Sequence, residues 1–210
     1  MKLIDLTHSF TEQMPFFPGD DPISLKKVKT FSDDGYLVTR FNSGMHVGTH
    51  IDAPAHFIEN GKMINEFPLE KFYGKGVLID ARGDARVKKV IDESVLENVE
   101  IPKKSIVLVL TGHDKKFRDK DYYETYPVVT EGFANKLIEL GISMVGFDSP
   151  SPDKEPFNIH KILFKKDILI LENLKDVHKL LDVKHFDVCA FPLKIDAEGS
   201  FVRVVAMVKE

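Results

Sequence analysis

The sequence has no tryptophan and a single cysteine, Cys189, in 210 residues. A lone thiol cannot close an intrachain disulfide, which favours a reducing compartment, and the cytoplasm is the expected location. Neither sign of charge dominates: 29 Lys and Arg face 33 Asp and Glu, a formal net charge of −4. That balance leaves no electrostatic footprint for nucleic acid or an anionic membrane. Long apolar runs are missing too. Stretches such as Ile106–Leu110 and Val204–Val208 stop at about five residues, against the roughly 20 needed to cross a bilayer. The opening MKLIDLTHSF carries Asp5 and polar residues where a secretory leader needs an apolar stretch. Repeats, low-complexity tracts and Gly/Ser linkers are absent as well, so one soluble domain over 1–210 is expected.

What is present alternates between strand and helix signals. Leu3–Leu6, Ile23–Thr30 and Tyr36–Asn42 are short β-rich stretches, and Ile106–Leu110 reads as a buried strand. Between the first two, Pro15, Pro18, Gly19, Asp20, Asp21 and Pro22 enforce an irregular loop. Asp84–Val99 carries apolar residues at near-helical spacing. Thr130–Leu140 is the clearest helix, with Thr130 as its cap and Gly141 as its left-handed stop. Strands are expected at Ser143–Phe147 and Ile168–Leu171, with a short helix, Asn158–Phe164, between them. Val188–Ile195 and Val202–Val208 close the chain as β structure. Strands outnumbering and interleaving with a few helices predict an α/β fold around a mixed sheet.

The most unusual segment is Met45–Phe57, MHVGTHIDAPAHF, which gathers His46, His50 and His56, three of the eight histidines, around Asp52. All four have even numbers, so an extended chain would point them to one face. A straight strand would spread His46 and His56 by about 33 Å, far beyond the reach of one ion with bonds of about 2.0–2.2 Å. His50 and Asp52 converge without a bend. His46 needs a kink, which Gly48 permits, and Pro54 turns the chain before His56. His46, His50 and Asp52 therefore form a candidate metal cluster, leaving His56 for proton transfer. The competing reading is a strand edge of solvated histidines. Glu172 ends the apolar run Ile168–Leu171, where α/β sheets collect their sites, and His160 lies between Ile159 and Ile162. Spacing alone does not join these two to the first cluster. His178 and His185 are expected on a solvated helix and a loop, and Cys189 as an inert buried thiol.

HVGTHIDAPAHF resembles the HxGTHxDxPxHF signature of the cyclase family of metal-dependent hydrolases, which includes bacterial kynurenine formamidase. Further similarities run nearly the whole length: Asp5-Leu6-Thr7-His8, Phe17-Pro18-Gly19-Asp20, Thr111-Gly112, Asp148–Ser151, and His160 through Glu172-Asn173-Leu174. The resemblance implies a swivelling β/β/α domain assembled as homodimers or homotetramers, with one or two Zn²⁺ or Mn²⁺ ions per subunit. It implies His46 and His50 on one ion, Asp52 bridging, His160 on a second, Glu172 touching both, and His56 as proton donor and acceptor. The expected reaction is hydrolysis of a small non-peptide amide. Cyclisation or lactam and lactone opening at the same ions is one alternative; a non-catalytic binding module is the other. Phe17 stands where the formamidases typically carry tryptophan against an aryl substrate, and is the expected substrate-binding residue.

Overall fold

The computed structural model describes residues 1–209. In chain order the strands are β1 (Lys2–Asp5), β2 (Ser24–Lys29), β3 (Val38–Asn42), β4 (His50–Asp52), β5 (Tyr73–Asp80), β6 (Val90–Ile91) and β7 (Ile106–Leu110). They continue as β8 (Val128–Val129), β9 (Met144–Phe147), β10 (Leu169–Glu172), β11 (Phe186–Cys189), β12 (Gly199–Phe201) and β13 (Val205–Val208). Four α-helices occur among the described residues: α1 (Phe31–Asp34), α2 (Arg82–Val87), α3 (Glu131–Leu140) and α4 (Asn158–Phe164). Nine strands form one mixed sheet in the order β1-β13-β11-β5-β7-β9-β10-β4-β12, while β2–β3 and β6–β8 pair separately. The middle of the sheet, β5-β7-β9-β10, is parallel; β4 and β12 add antiparallel at one side.

The apolar run Ile106–Leu110 explains why the centre is parallel. Ile106, Leu108 and Leu110 enter one buried layer, and Val107 and Val109 enter the other. A strand covered on both faces reads as a continuous hydrophobic run. The second layer is roofed by α3 and α4 through Phe133, Leu137, Ile159, Leu163 and Phe164. Helix α3 starts where its sequence signal predicts, with the Thr130 hydroxyl accepting from the Phe133 N–H and Gly141 in the left-handed region. Such a cap contributes about 1 kcal/mol.

Three expectations are corrected. Asp84–Val99 is not one helix: it divides into α2, the short strand β6 and a 3₁₀ turn at Glu93–Leu96. Lys89 adopts φ 55°, which breaks α2, and Val90–Ile91 is drawn into parallel pairing with Val128–Val129. Strand β5 had no clear sequence signal because Gly74 and Gly76 dilute it. Gly76 is required there, since a Cβ would lie 2.1 Å from the Phe186 ring. At the C-terminal end the strand is Phe186–Cys189, which shares only Val188 and Cys189 with the expected Val188–Ile195 stretch, and Cys189 is half-buried rather than sealed.

Candidate active site

The register of three strands builds the floor of the site. His50 lies directly opposite Glu172 across the β4–β10 ladder, and Asp52 lies opposite Gly199 across the β4–β12 ladder. Cross-strand partners share a face. Ile51 and Leu171 point into the layer away from the helices, whereas Ile170 packs in the layer with Ile159 and Leu163 of α4. His50, Asp52 and Glu172 therefore face α4, which brings His160 over them. His160 Nε2 stands 3.3 Å from Glu172 Oε1 and 3.7 Å from Asp52 Oδ2. His50 Nε2 stands 3.2 Å from Asp52 Oδ1 and 3.4 Å from Glu172 Oε2. Segments more than a hundred residues apart thus share one buried constellation.

The kink expected at Gly48 is present, with φ 62°, and a Cβ there would lie 2.3 Å from Met14 Cε. It returns His46 to the cluster, where His46 Nδ1 lies 2.8 Å from Asp52 Oδ1. Pro54 ends β4 and starts the 3₁₀ turn Pro54–His56. That turn stacks the His56 ring on His46 at 3.7 Å and 18°. Donor atoms of His50, Asp52 and Glu172 lie within 4.8 Å of one another, as do those of His46, Asp52 and His56.

Each distal histidine nitrogen is oriented. His50 Nδ1 donates to the Gly48 carbonyl at 2.7 Å, which turns Nε2 inward. His160 Nδ1 meets Asp153 Oδ1 at 2.6 Å, and Asp153 Oδ2 accepts the Ile159 N–H at 2.6 Å. His46 Nε2 meets Glu198 Oε1 at 3.2 Å. Asp153 and Glu198 were not singled out by spacing, because each is an ordinary loop acid until its strand or helix is placed. Tyr122 and Tyr126 also belong to the surroundings: Tyr122 donates to Asn173 Oδ1 at 2.7 Å and Tyr126 to the Asp153 carbonyl at 2.8 Å. The dense aromatic run DYYETY was the available signal for them.

Charge is concentrated here. Burial opposes an imidazolium at His46 and His50, yet Asp52 overrides it and lifts them to about 9 and about 10. Burial works against the Asp52 anion as well, but His46 and His50 hold its carboxyl well below the usual range. His56 differs: burial keeps its imidazole neutral, down to about 4, despite the pull of Asp52. His50 Nε2 and Glu172 Oε1 are sealed from solvent without a hydrogen-bond partner among the described residues. Orphaned buried polar atoms are costly. A divalent cation accepting from imidazole and carboxylate would satisfy both, so the donor set fits a metal.

Phe17 is the predicted residue that the fold does not place against the histidines. Its ring is 39% exposed and stacks edge-on against Tyr123 at 5.5 Å. Tyr123 in turn packs edge-on against Tyr122 at 5.1 Å, and the Tyr122 hydroxyl donates to Asn173, the neighbour of Glu172.

The family model described as "Putative cyclase" matches residues 4–154. The chain belongs to the cyclase family. This cyclase-family chain is 31% identical over 208 residues to the kynurenine formamidase of Bacillus cereus, covering 96% of this chain and 95% of that one. Among solved structures it is similar to isatin hydrolase A from Labrenzia aggregata bound to benzyl benzoate, at 26% identity and a TM-score of 0.89. That match covers 100% of this chain and 94% of the other. A structure described as a potential metal-dependent hydrolase with cyclase activity matches at 26% identity and a TM-score of 0.81, covering 100% and 98% of the two chains. The mixed sheet with few helices is thus the family's fold. Among the described residues of this cyclase-family chain, no helix is long and apolar enough to cross a membrane.

Proposed function

We infer that the protein is a metal-dependent hydrolase that cleaves the C–N bond of a small non-peptide amide, with an arylformamide as the preferred class. The observation that carries this reading is the meeting of His50 and Asp52 with His160 and Glu172 at contacts of 3.2–3.7 Å. His46, His50, Asp52, His160 and Glu172 would hold one or two ions, Zn²⁺ or Mn²⁺. When bound, such an ion acidifies water from a pKa of about 15.7 toward 7 and polarises a carbonyl.

The chain's own residues handle orientation and the proton. Asp153 and the Gly48 carbonyl fix the rings of His160 and His50, so each Nε2 points at the carboxylates without reorganisation. His56, held neutral by its burial, accepts the proton released as water adds to the carbonyl. The same ring then returns that proton to the departing nitrogen, which leaves as a neutral amine. Phe17 and Tyr123 supply an aromatic edge for an aryl group near this centre. Phenylalanine offers less area than an indole and no N–H donor, which supports a substrate other than N-formylkynurenine itself.

A second reading, opening of a cyclic amide, is supported by the full-length likeness to isatin hydrolase A. The deciding experiment is a panel of N-formylanilines, isatin and simple lactones offered to Zn²⁺- or Mn²⁺-loaded protein. Formanilide cleavage that is lost to a chelator and restored by either ion is the expected result. Isatin turnover alone selects the second reading. A metal-replete protein inert toward the whole panel overturns both.

We also propose a homo-oligomer, a dimer or tetramer. The β2–β3 ribbon is a separate two-stranded sheet that meets the main sheet through Phe41 and Phe201 at 5.3 Å, and it and its connection expose Phe31, Tyr36, Leu37 and Val38 at 72%, 52%, 46% and 40%. A two-stranded ribbon with little covering is marginal in water, so a second copy covering these exposed residues supports the proposal. Sedimentation of the purified chain as a monomer would refute this. The near-neutral charge balance and the lone cysteine support a cytoplasmic enzyme without nucleic-acid or membrane partners.

A further inference from the structure

We propose that Asp114, Asp176 and His178 form a second divalent-cation site, structural in role and separate from the hydrolytic centre. Asp114 lies in the 3₁₀ turn His113–Lys116 that follows β7, and Asp176 and His178 lie beyond the end of β10. The Asp176 N–H donates to Asp114 Oδ2 at 3.0 Å, which ties the two segments together before any ligand arrives. One donor atom from each of the three residues lies within 4.8 Å of the others.

The unsatisfied atoms point to a ligand. Asp114 is only 9% exposed, and its Oδ1 is sealed from solvent with no hydrogen-bond partner among the described residues. His178 sits on the surface as expected, on the 3₁₀ turn Val177–Leu180, yet its Nδ1 is likewise sealed and unpartnered. One carboxylate oxygen and one ring nitrogen thus lose hydration with no replacing partner, which is costly. Lys179 reaches Asp176 Oδ2 at 2.8 Å and Lys175 reaches it at 4.0 Å, so the lysines serve Asp176 from the solvent side. No salt bridge reaches Asp114 among the described residues. An ion with bonds of about 2.0–2.2 Å spans donors up to about 4.4 Å apart, so small side-chain rotations close the group. Two carboxylates and one imidazole suit Zn²⁺ or Mn²⁺, with water completing the coordination. Such an ion would clamp the turn after β7 to the segment that begins with Glu172 and Asn173.

The test is equilibrium dialysis of the chelator-stripped full chain against Zn²⁺ or Mn²⁺, with elemental counting of bound metal. The chains compared are the wild type, Asp114→Asn, His178→Ala and His50→Ala. Asp114→Asn and His178→Ala are each expected to bind one equivalent fewer than the wild type. His50→Ala is expected to lose metal at the hydrolytic centre and keep the Asp114 equivalent, and its melting temperature should still rise on adding metal. Should Asp114→Asn fail to fold, His178→Ala, on a surface turn, decides the matter. Wild-type stoichiometry in His178→Ala would overturn the site, and would identify Asp114 and His178 as a buried polar pair only. Because metal is counted rather than turnover, failure here leaves the hydrolase reading separately testable.

Discussion

Asp153 grips His160 and the helix that carries it with one carboxylate: Oδ1 lies 2.6 Å from His160 Nδ1, and Oδ2 accepts the Ile159 N–H, also at 2.6 Å. The acid thus caps α4 and fixes the rotation of the ring that α4 delivers. Side chains that hold the far nitrogen of a liganding histidine set both its orientation and its basicity.

Asp153→Asn should expose this dual role. The amide replaces one carboxylate oxygen by an NH2 donor, so it cannot offer a separate acceptor oxygen to both the Ile159 N–H and the His160 ring. Affinity for Zn²⁺ or Mn²⁺ is expected to fall about 10–100-fold while the far-ultraviolet circular dichroism stays native. Unchanged metal affinity would show that His160 needs no such holder.

His56→Ala separates proton transfer from metal binding. Removing a positioned acid–base group typically lowers turnover by about 10²–10⁴-fold. That loss is expected here with the bound-metal count unchanged. Because donor atoms of His46, Asp52 and His56 also lie within 4.8 Å of one another, loss of a metal equivalent would reassign His56 as a ligand.

The histidine segment was legible because its information is local. The Gly48 kink and the Pro54 turn act over two or three residues, and both occur as their residue types dictate. The union with His160 and Glu172 was visible only through family resemblance, since β4–β10 pairing joins positions 50 and 172. No local pattern encodes such a register. Asp153 and Glu198 escaped for the same reason, their partners being fixed by tertiary placement. The error at Asp84–Val99 had a different origin. Its apolar spacing is near-helical, but Val90 and Ile91 find a strand partner at Val128 and Val129, and tertiary pairing overrode periodicity.

Acid sensitivity should trace in part to His8. Burial, followed by the charge of Lys175, pushes this imidazole down to about 4, and its ring stacks on Phe117 at 3.6 Å. In the unfolded chain the ring titrates near 6.5, so between pH 6.5 and 4 the unfolded state binds more protons and stability falls as pH falls. Above 6.5 both states are neutral and the contribution is complete. His8→Gln removes the titration, and should flatten the stability curve over that window by about 1–2 kcal/mol after allowing for a half-buried ring. Denaturant midpoints for the two proteins at pH 7 and pH 5 make the comparison. Parallel losses in both would exclude His8 as the source.

Gly199 and Glu198 hold His46 from the opposite strand. A Cβ on Gly199 would lie 3.0 Å from His46 Cε1 and 3.0 Å from the Ile51 carbonyl oxygen. Gly199→Ala must therefore displace the ring, the strand or both, and overpacking of this kind costs about 1–3 kcal/mol. Glu198→Gln leaves the space unchanged and removes only the negative charge beside His46 Nε2; the hydrogen bond from His46 now holds the Glu198 carboxyl down to about 2. If the strand positions His46 chiefly by shape, Gly199→Ala will weaken metal binding and lower the melting temperature, while Glu198→Gln changes affinity modestly at an unchanged melting temperature. If charge is what holds the ring, the order of the two affinity losses reverses. Parallel metal titration and thermal unfolding of both variants decide between these, and indifference of both would detach His46 from the metal cluster altogether.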